Sequence, residues 1–245
     1  MEIVTERVQI PLEGGGPMGG YLARPQGGGP HPSVIVFMEI FGINSHIRDV
    51  TERVAREGYV ALAPDYFHRT GPGVEYGYDD AGMAKGMQLL AGLDADEMIA
   101  DARAAIAWLR ERKDVTGKVG AMGFCIGGHM TYLTACETDV AAAASFYGGG
   151  IAGAKGPGGD ASTLSRTGQI GGRIVCLFGE KDGLIPADQV KAIRAALATH
   201  GIDHEVVVYP GADHGFFCDQ RATYQKAAAD DAWRRVKELY RAKLG

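Results

Sequence analysis

Apolar runs along the chain alternate with segments whose apolar residues return every three or four positions. Ser33 to Met38 is continuous and β-branched, and reads as a strand. His46 to Glu57 carries Ile47, Val50 and Val54 on one face of a helix. Tyr59 to Ala63 reads as a strand. Asp94 to Arg110 repeats Met98, Ala102, Ala105, Ile106 and Leu109 at helical spacing, with acids in its first turn and a base in its last.

The alternation then continues. Strands are expected at Lys118 to Met122, Ala141 to Phe146, Arg173 to Phe178 and His204 to Tyr209. Helices are expected at Ile126 to Ala135, Pro186 to Thr199 and Ala222 to Lys243. Before all of these, Glu6 to Leu12 and Gly20 to Ala23 flank the Gly-rich stretch Gly14 to Gly20, the pattern of an N-terminal hairpin. Strands alternating with helices predict an α/β fold with a mostly parallel sheet covered on both faces.

Length and composition narrow the picture. At 245 residues the chain fits one α/β domain spanning residues 1–245, large enough to bury a core without disulfides. A net charge of -5 argues against nucleic acid or an anionic membrane as a partner. Cys125, Cys136, Cys176 and Cys218 form no CxxC pair and read as free thiols. The N-terminus lacks a secretory pattern, and no apolar run could span a bilayer, so a cytoplasmic location is expected, as a monomer or weak homodimer.

In parallel α/β sheets ligands bind beyond the carboxyl ends of the strands, and the reactive residue types cluster there. Gly123-Phe124-Cys125-Ile126-Gly127-Gly128 joins a strand to a helix, the setting of a nucleophile elbow with cysteine in place of serine. The turn would present the thiol at a helix N-terminus, where a thiolate is favoured. The backbone N–H of Ile126 would face a developing oxyanion. In such enzymes the acid and the histidine follow the nucleophile in that order. Asp182 lies after one strand, with Glu180 as its rival, and His214 lies in the turn Gly211-Ala212-Asp213-His214-Gly215-Phe216 after the last. A histidine can take and return a proton near neutral pH, and a carboxylate fixes its tautomer. Glu39 ends an apolar strand, where a carboxylate must find partners, a salt bridge or a helix cap among them.

Met38-Glu39-Ile40-Phe41-Gly42-Ile43-Asn44 resembles the dienelactone hydrolase family. The likeness continues at Ala63 to Phe67, Gly123 to Gly128, Tyr147-Gly148, Asp182 and His214-Gly215-Phe216, and so covers nearly the whole chain. It implies an α/β-hydrolase fold, no cofactor or metal, and a small ester or lactone as substrate. It also implies that Glu39 contacts the nucleophile and governs its protonation, and that the N–H of Ile40 is a second oxyanion donor.

Two departures stand out. Family members acting on the dienelactone hold its carboxylate with two arginines. One is expected between Asp79 and Leu90, where this chain has only Lys85; the other falls on Cys218. Arg221 and Arg69 are candidate substitutes, neither in register. Phe41, His68, Tyr76, Tyr78 and Tyr147 are candidate pocket residues.

Rival readings are weaker. Gly148 to Gly153 fits GxGxxG, but Ala154 to Asp160 predicts a loop rather than the helix a dinucleotide fold requires. No HExxH is present, and His200 and His204 are separated by Gly201. A non-catalytic small-molecule binder on the same fold is the remaining alternative.

Overall fold

The computed structural model describes residues 1–154, 157 and 161–245. Eight strands form one sheet in the order β1-β2-β4-β3-β5-β6-β7-β8. They span Ile3–Ile10 (β1), Met18–Pro25 (β2), His31–Phe37 (β3), Val60–Pro64 (β4), Val115–Phe124 (β5), Ala142–Phe146 (β6), Arg173–Gly179 (β7) and His204–Tyr209 (β8). β1 pairs antiparallel with β2, and β2 with β4; every later pairing is parallel. The N-terminal hairpin is therefore present, although both strands run longer than their apolar stretches, and Gly19 and Gly20 belong to β2 rather than to the turn.

Among the described residues six α-helices accompany the strands: α1 (Ser45–Arg56), α2 (Asp80–Leu90), α3 (Ala95–Arg110), α4 (Ile126–Glu137), α5 (Ala187–Thr199) and, after the last strand, α6 (Lys226–Lys243). β3, β6, β7 and the second half of β5 are apolar and almost wholly buried, as expected of central strands with both faces covered. α6 seals one face near the sheet's centre. Tyr240 donates from its hydroxyl to the Ala121 carbonyl at 3.0 Å, and a side chain at Gly120 would sit 2.9 Å from Leu244. α3 and α4 pack on each other and on β5. No helix among the described residues is long and apolar enough to cross a membrane.

Three elements depart from the sequence pattern, each for a physical reason. α2 has no counterpart among the expected helices. Gly82 and Gly86 weaken its helical signal, and its apolar residues Met83 and Met87 are exposed rather than core-facing. A 3-10 helix at Thr163–Gln169 is too short to leave a periodic trace. α6 begins at Lys226 rather than Ala222, because residues 221–225 turn back on the loop: Tyr224 N–H donates to the Arg221 carbonyl and Gln225 N–H to that of Phe216. The segment Gly148 to Gly153 forms turns, and of the loop expected over Ala154 to Asp160, Lys155, Gly156, Gly158, Gly159 and Asp160 lie outside the described residues.

Candidate active site

Cys125 joins β5 directly to α4 with φ 57° and ψ -121°, a left-handed conformation that a non-glycine residue adopts only at a cost of about 1–3 kcal/mol. Packing holds it there. Its N–H donates to the Phe146 carbonyl at 3.1 Å, and its own carbonyl accepts from the N–H groups of Gly128 and His129. The flanking glycines are steric requirements. A Cβ at Gly123 would lie 2.2 Å from the Gly127 carbonyl oxygen, and one at Gly127 would lie 2.3 Å from that of Met38. The second contact draws the start of α4 against the end of β3, where Glu39 and Ile40 follow. Among the described residues the N–H groups of Ile40 and Ile126 donate to no acceptor in the chain, so both remain free for a ligand oxygen.

His214 follows β8. Its Nδ1–H donates to Asp182 Oδ2 at 2.8 Å, and both side chains are nearly buried. Asp182 is held in turn by the Leu184 N–H, which donates to Oδ1 at 2.9 Å. Glu180, the alternative carboxylate, instead accepts from the Gly211 N–H. Among the described residues the buried Nε2 atom of His214 completes no hydrogen bond, and Cys125 lies beside it. Burial alone would lower the His214 pKa. The hydrogen bond to Asp182 and the sulfur of Cys125 outweigh it and raise the pKa to about 10.

Of the four free cysteines only Cys125 is partly exposed. Burial pushes Cys136 up to about 12 and Cys218 to about 11, and Cys176 higher still, which makes these three thiols inert.

Glu39 is fully buried and satisfied on both oxygens. Tyr78 donates its hydroxyl to Oε2 at 2.9 Å, and Arg221 donates from Nη1 to Oε1 at 3.1 Å. This differs from the contact with the nucleophile that the resemblance implies: among the described residues no hydrogen bond joins Glu39 to the Cys125 thiol. A guanidinium and a phenol are both better donors to a carboxylate than a thiol. Arg221 also lies over the rings of Phe41 and Tyr78, at 5.9 and 5.3 Å from their centres. A Cβ at Gly215, where φ is 82°, would meet the Arg221 guanidinium at 2.6 Å, so the glycine after His214 clears the arginine's path.

Cys125, His214, Ile40, Ile126, Phe41 and Arg221 line one cavity of about 650 Å³. The other candidates lie elsewhere. Arg69 is committed to a bidentate ion pair with Asp101, which also accepts from His68, and it borders a different cleft. Tyr76 sits beneath Lys85. Tyr147 is fully buried, with its ring 5.0 Å from that of His214 and, among the described residues, its hydroxyl unpaired.

Several lining residues are not among the sequence candidates. Met83, Met87 and Leu90 come from the unexpected α2, and Leu184 from the loop after Asp182. His129 sits one helical turn beyond Cys125, a spacing that could have flagged it. Its Nδ1–H donates to the Gly149 carbonyl at 2.8 Å and its Nε2 accepts from Thr163 at 2.7 Å; burial lowers its pKa to about 4, so the ring is neutral. Among the described residues no cluster of His, Cys, Asp and Glu could hold a metal ion.

An eight-stranded sheet in this order, with a strained cysteine between strand and helix and a carboxylate-bound imidazole beside it, defines an α/β-hydrolase. Comparison with known proteins narrows the class. The family model "Dienelactone hydrolase family" matches residues 18–244. A Synechocystis protein provisionally named a carboxymethylenebutenolidase is 45% identical over 245 residues, covering 100% of this chain and 99% of its own. An Escherichia coli K12 protein of the same provisional name is 34% identical over 98% of this chain and 87% of its own. A crystal structure from Klebsiella pneumoniae, provisionally named a dienelactone hydrolase, superposes with a TM-score of 0.89 at 34% identity, covering 98% of this chain and 99% of that one. The chain belongs to the dienelactone hydrolase family, and stands there among carboxymethylenebutenolidase-like carboxylic ester hydrolases.

Proposed function

We propose that the chain hydrolyses an activated ester or enol lactone by nucleophilic catalysis, with Cys125 as nucleophile, His214 as base and acid, and Asp182 as the group that orients it. The observation that carries this reading is the 2.8 Å Nδ1–H hydrogen bond from His214 to Asp182, which leaves Nε2 to the thiol in a cavity that also holds two unused N–H donors.

The first half-reaction starts with Nε2 carrying the proton that Cys125 has given up, as the raised His214 pKa favours. The sulfur attacks the ester carbonyl, forming a C–S bond, and the oxyanion rests on the N–H groups of Ile40 and Ile126. Collapse restores the carbonyl and breaks the C–O bond, and the departing alkoxide or enolate takes the proton from Nε2. In the second half-reaction water attacks the thioester while Nε2 accepts its proton. The acid leaves, and the thiolate and the protonated Nε2 are restored. A thiolate is a good leaving group itself, so esters with poor leaving groups would revert to substrate. This favours aryl esters and enol lactones over simple alkyl esters. Arg221 gives the cavity one cation for a substrate carboxylate, provided Glu39 shares it.

A p-nitrophenyl ester tests the reading. A burst of p-nitrophenol equal to the enzyme present, an acylated Cys125 found by mass spectrometry, and loss of both in Cys125→Ala are expected. No turnover of any ester, with ligand binding intact, would make the protein a binder instead. Relative rates on a dienelactone, aryl esters and thioesters then separate a dedicated lactonase from a broad esterase or thioesterase.

A further inference from the structure

Among the described residues six large hydrophobic side chains stand exposed, and three of them rim the cavity that holds Cys125: Met83, Met87 and Leu184, exposed by 40%, 50% and 69%. Their grouping is not scattered surface. Met83, Met87 and Leu90 recur at i, i+4 and i+7 on α2, so one stripe of that helix borders the cavity. Most of the polar lining, Asp213, His214, Arg221 and Thr223, comes from the loop after β8. To the same cavity α2 contributes only apolar side chains.

α2 rests on Ile40. A Cβ on Gly86 would lie 2.6 Å from the Ile40 carbonyl oxygen and 2.9 Å from its Cγ1, so the helix backbone rests directly on the residue whose N–H is unused. A group lying along the methionines would therefore be continuous with a carbonyl placed at Cys125. At about 650 Å³ the cavity is in the range that holds a drug-sized ligand, larger than a short ester fills.

We infer that Met83 and Met87 form a binding wall for an extended apolar substituent of the substrate, so that the natural ester or lactone carries an alkyl or aryl group beyond its reacting carbonyl. This rests on the hydrolytic reading of Cys125. Methionine suits such a wall, because its unbranched, polarisable thioether adapts to chains and rings of different shape.

The test is a series of p-nitrophenyl acetate, butyrate and hexanoate. Complete burial of a methylene is worth about fourfold in kcat/KM, so even partial burial of four methylenes should make hexanoate at least about tenfold better than acetate. In Met83→Ser/Met87→Ser that ratio should fall toward one; in Met83→Leu/Met87→Leu it should persist. A parent ratio at or below one, or a ratio that survives the serine substitutions, overturns the proposal. A second arm needs no catalysis. Methyl alkyl ketones of rising length should bind Cys125→Ala with rising affinity, and should lose that gradient when the two serines are added. Equal affinities along the series overturn the wall even if esters are cleaved. A gradient without ester turnover keeps the wall and discards the hydrolytic reading. If light scattering shows that the serine pair splits a dimer and leaves the hexanoate ratio intact, the stripe is a contact between copies and the proposal fails.

Discussion

Arg221 donates to Glu39 across 182 positions of sequence, and the two charges are shut away together, with their side chains 15% and 1% exposed. A pair so placed is costly to break from one side. Glu39→Gln leaves a guanidinium without its carboxylate and is expected to lower unfolding stability by about 3 kcal/mol in urea. Adding Arg221→Gln should recover part of that loss, with a coupling of about 1 kcal/mol or more. Losses that simply add would show that the two side chains do not depend on each other.

The His214–Asp182 pair predicts a pH dependence of stability. The folded His214 pKa is raised to about 10, above its ordinary value near 6.5. Its contribution is therefore complete below about pH 6.5 and drains away as pH rises toward 10. Urea unfolding from pH 6 to 10 should show the parent losing stability, and Asp182→Asn losing distinctly less. Parallel curves would mean that the carboxylate does not hold the proton on the imidazole. The same substitution should lower kcat on an aryl ester by about 10³–10⁴-fold, because the ring loses the partner that fixes its tautomer.

Thiol labelling should single out one residue. Cys125 alone reaches the cavity, while Cys136, Cys176 and Cys218 are buried. Iodoacetamide is expected to modify one thiol per folded chain and four in urea, and none in folded Cys125→Ala. Labelling of a second thiol at a similar rate would contradict the burial of the other three.

Gly86→Ala addresses the contact between α2 and Ile40. The added methyl would need to displace the Ile40 carbonyl, 2.6 Å away, and the amide on the other side of that residue would move with it. A fall in kcat of about tenfold to hundredfold is expected, smaller than removal of an oxyanion donor outright. Gly15→Ala, with nothing within 4 Å, is the control. Equal rates in the two variants would detach the helix from the chemistry.

Much of this architecture is readable from residues alone. The central strands announce themselves because burial on both faces demands unbroken apolar runs. Cys125, Asp182 and His214 each follow a strand, and a parallel sheet gathers strand ends at one edge. The rest has no local trace. α2 exposes its apolar residues and carries two glycines, so neither periodicity nor propensity marks it. Arg221 lies seven residues after His214 rather than four, and only the turn that brings Gln225 back to Phe216 shows that it reaches the same cavity. Arg69 looks equivalent in sequence; the buried carboxylate of Asp101 claims it instead.

That turn has a practical corollary. The imidazole and the guanidinium ride on one short stretch of chain, pinned where β8 ends and again where α6 begins, with Gly215 giving the arginine passage between them. Grafting residues 210–225 from one relative into another would transplant imidazole and guanidinium as a single cassette, whereas exchanging either residue alone would separate parts that this backbone delivers together.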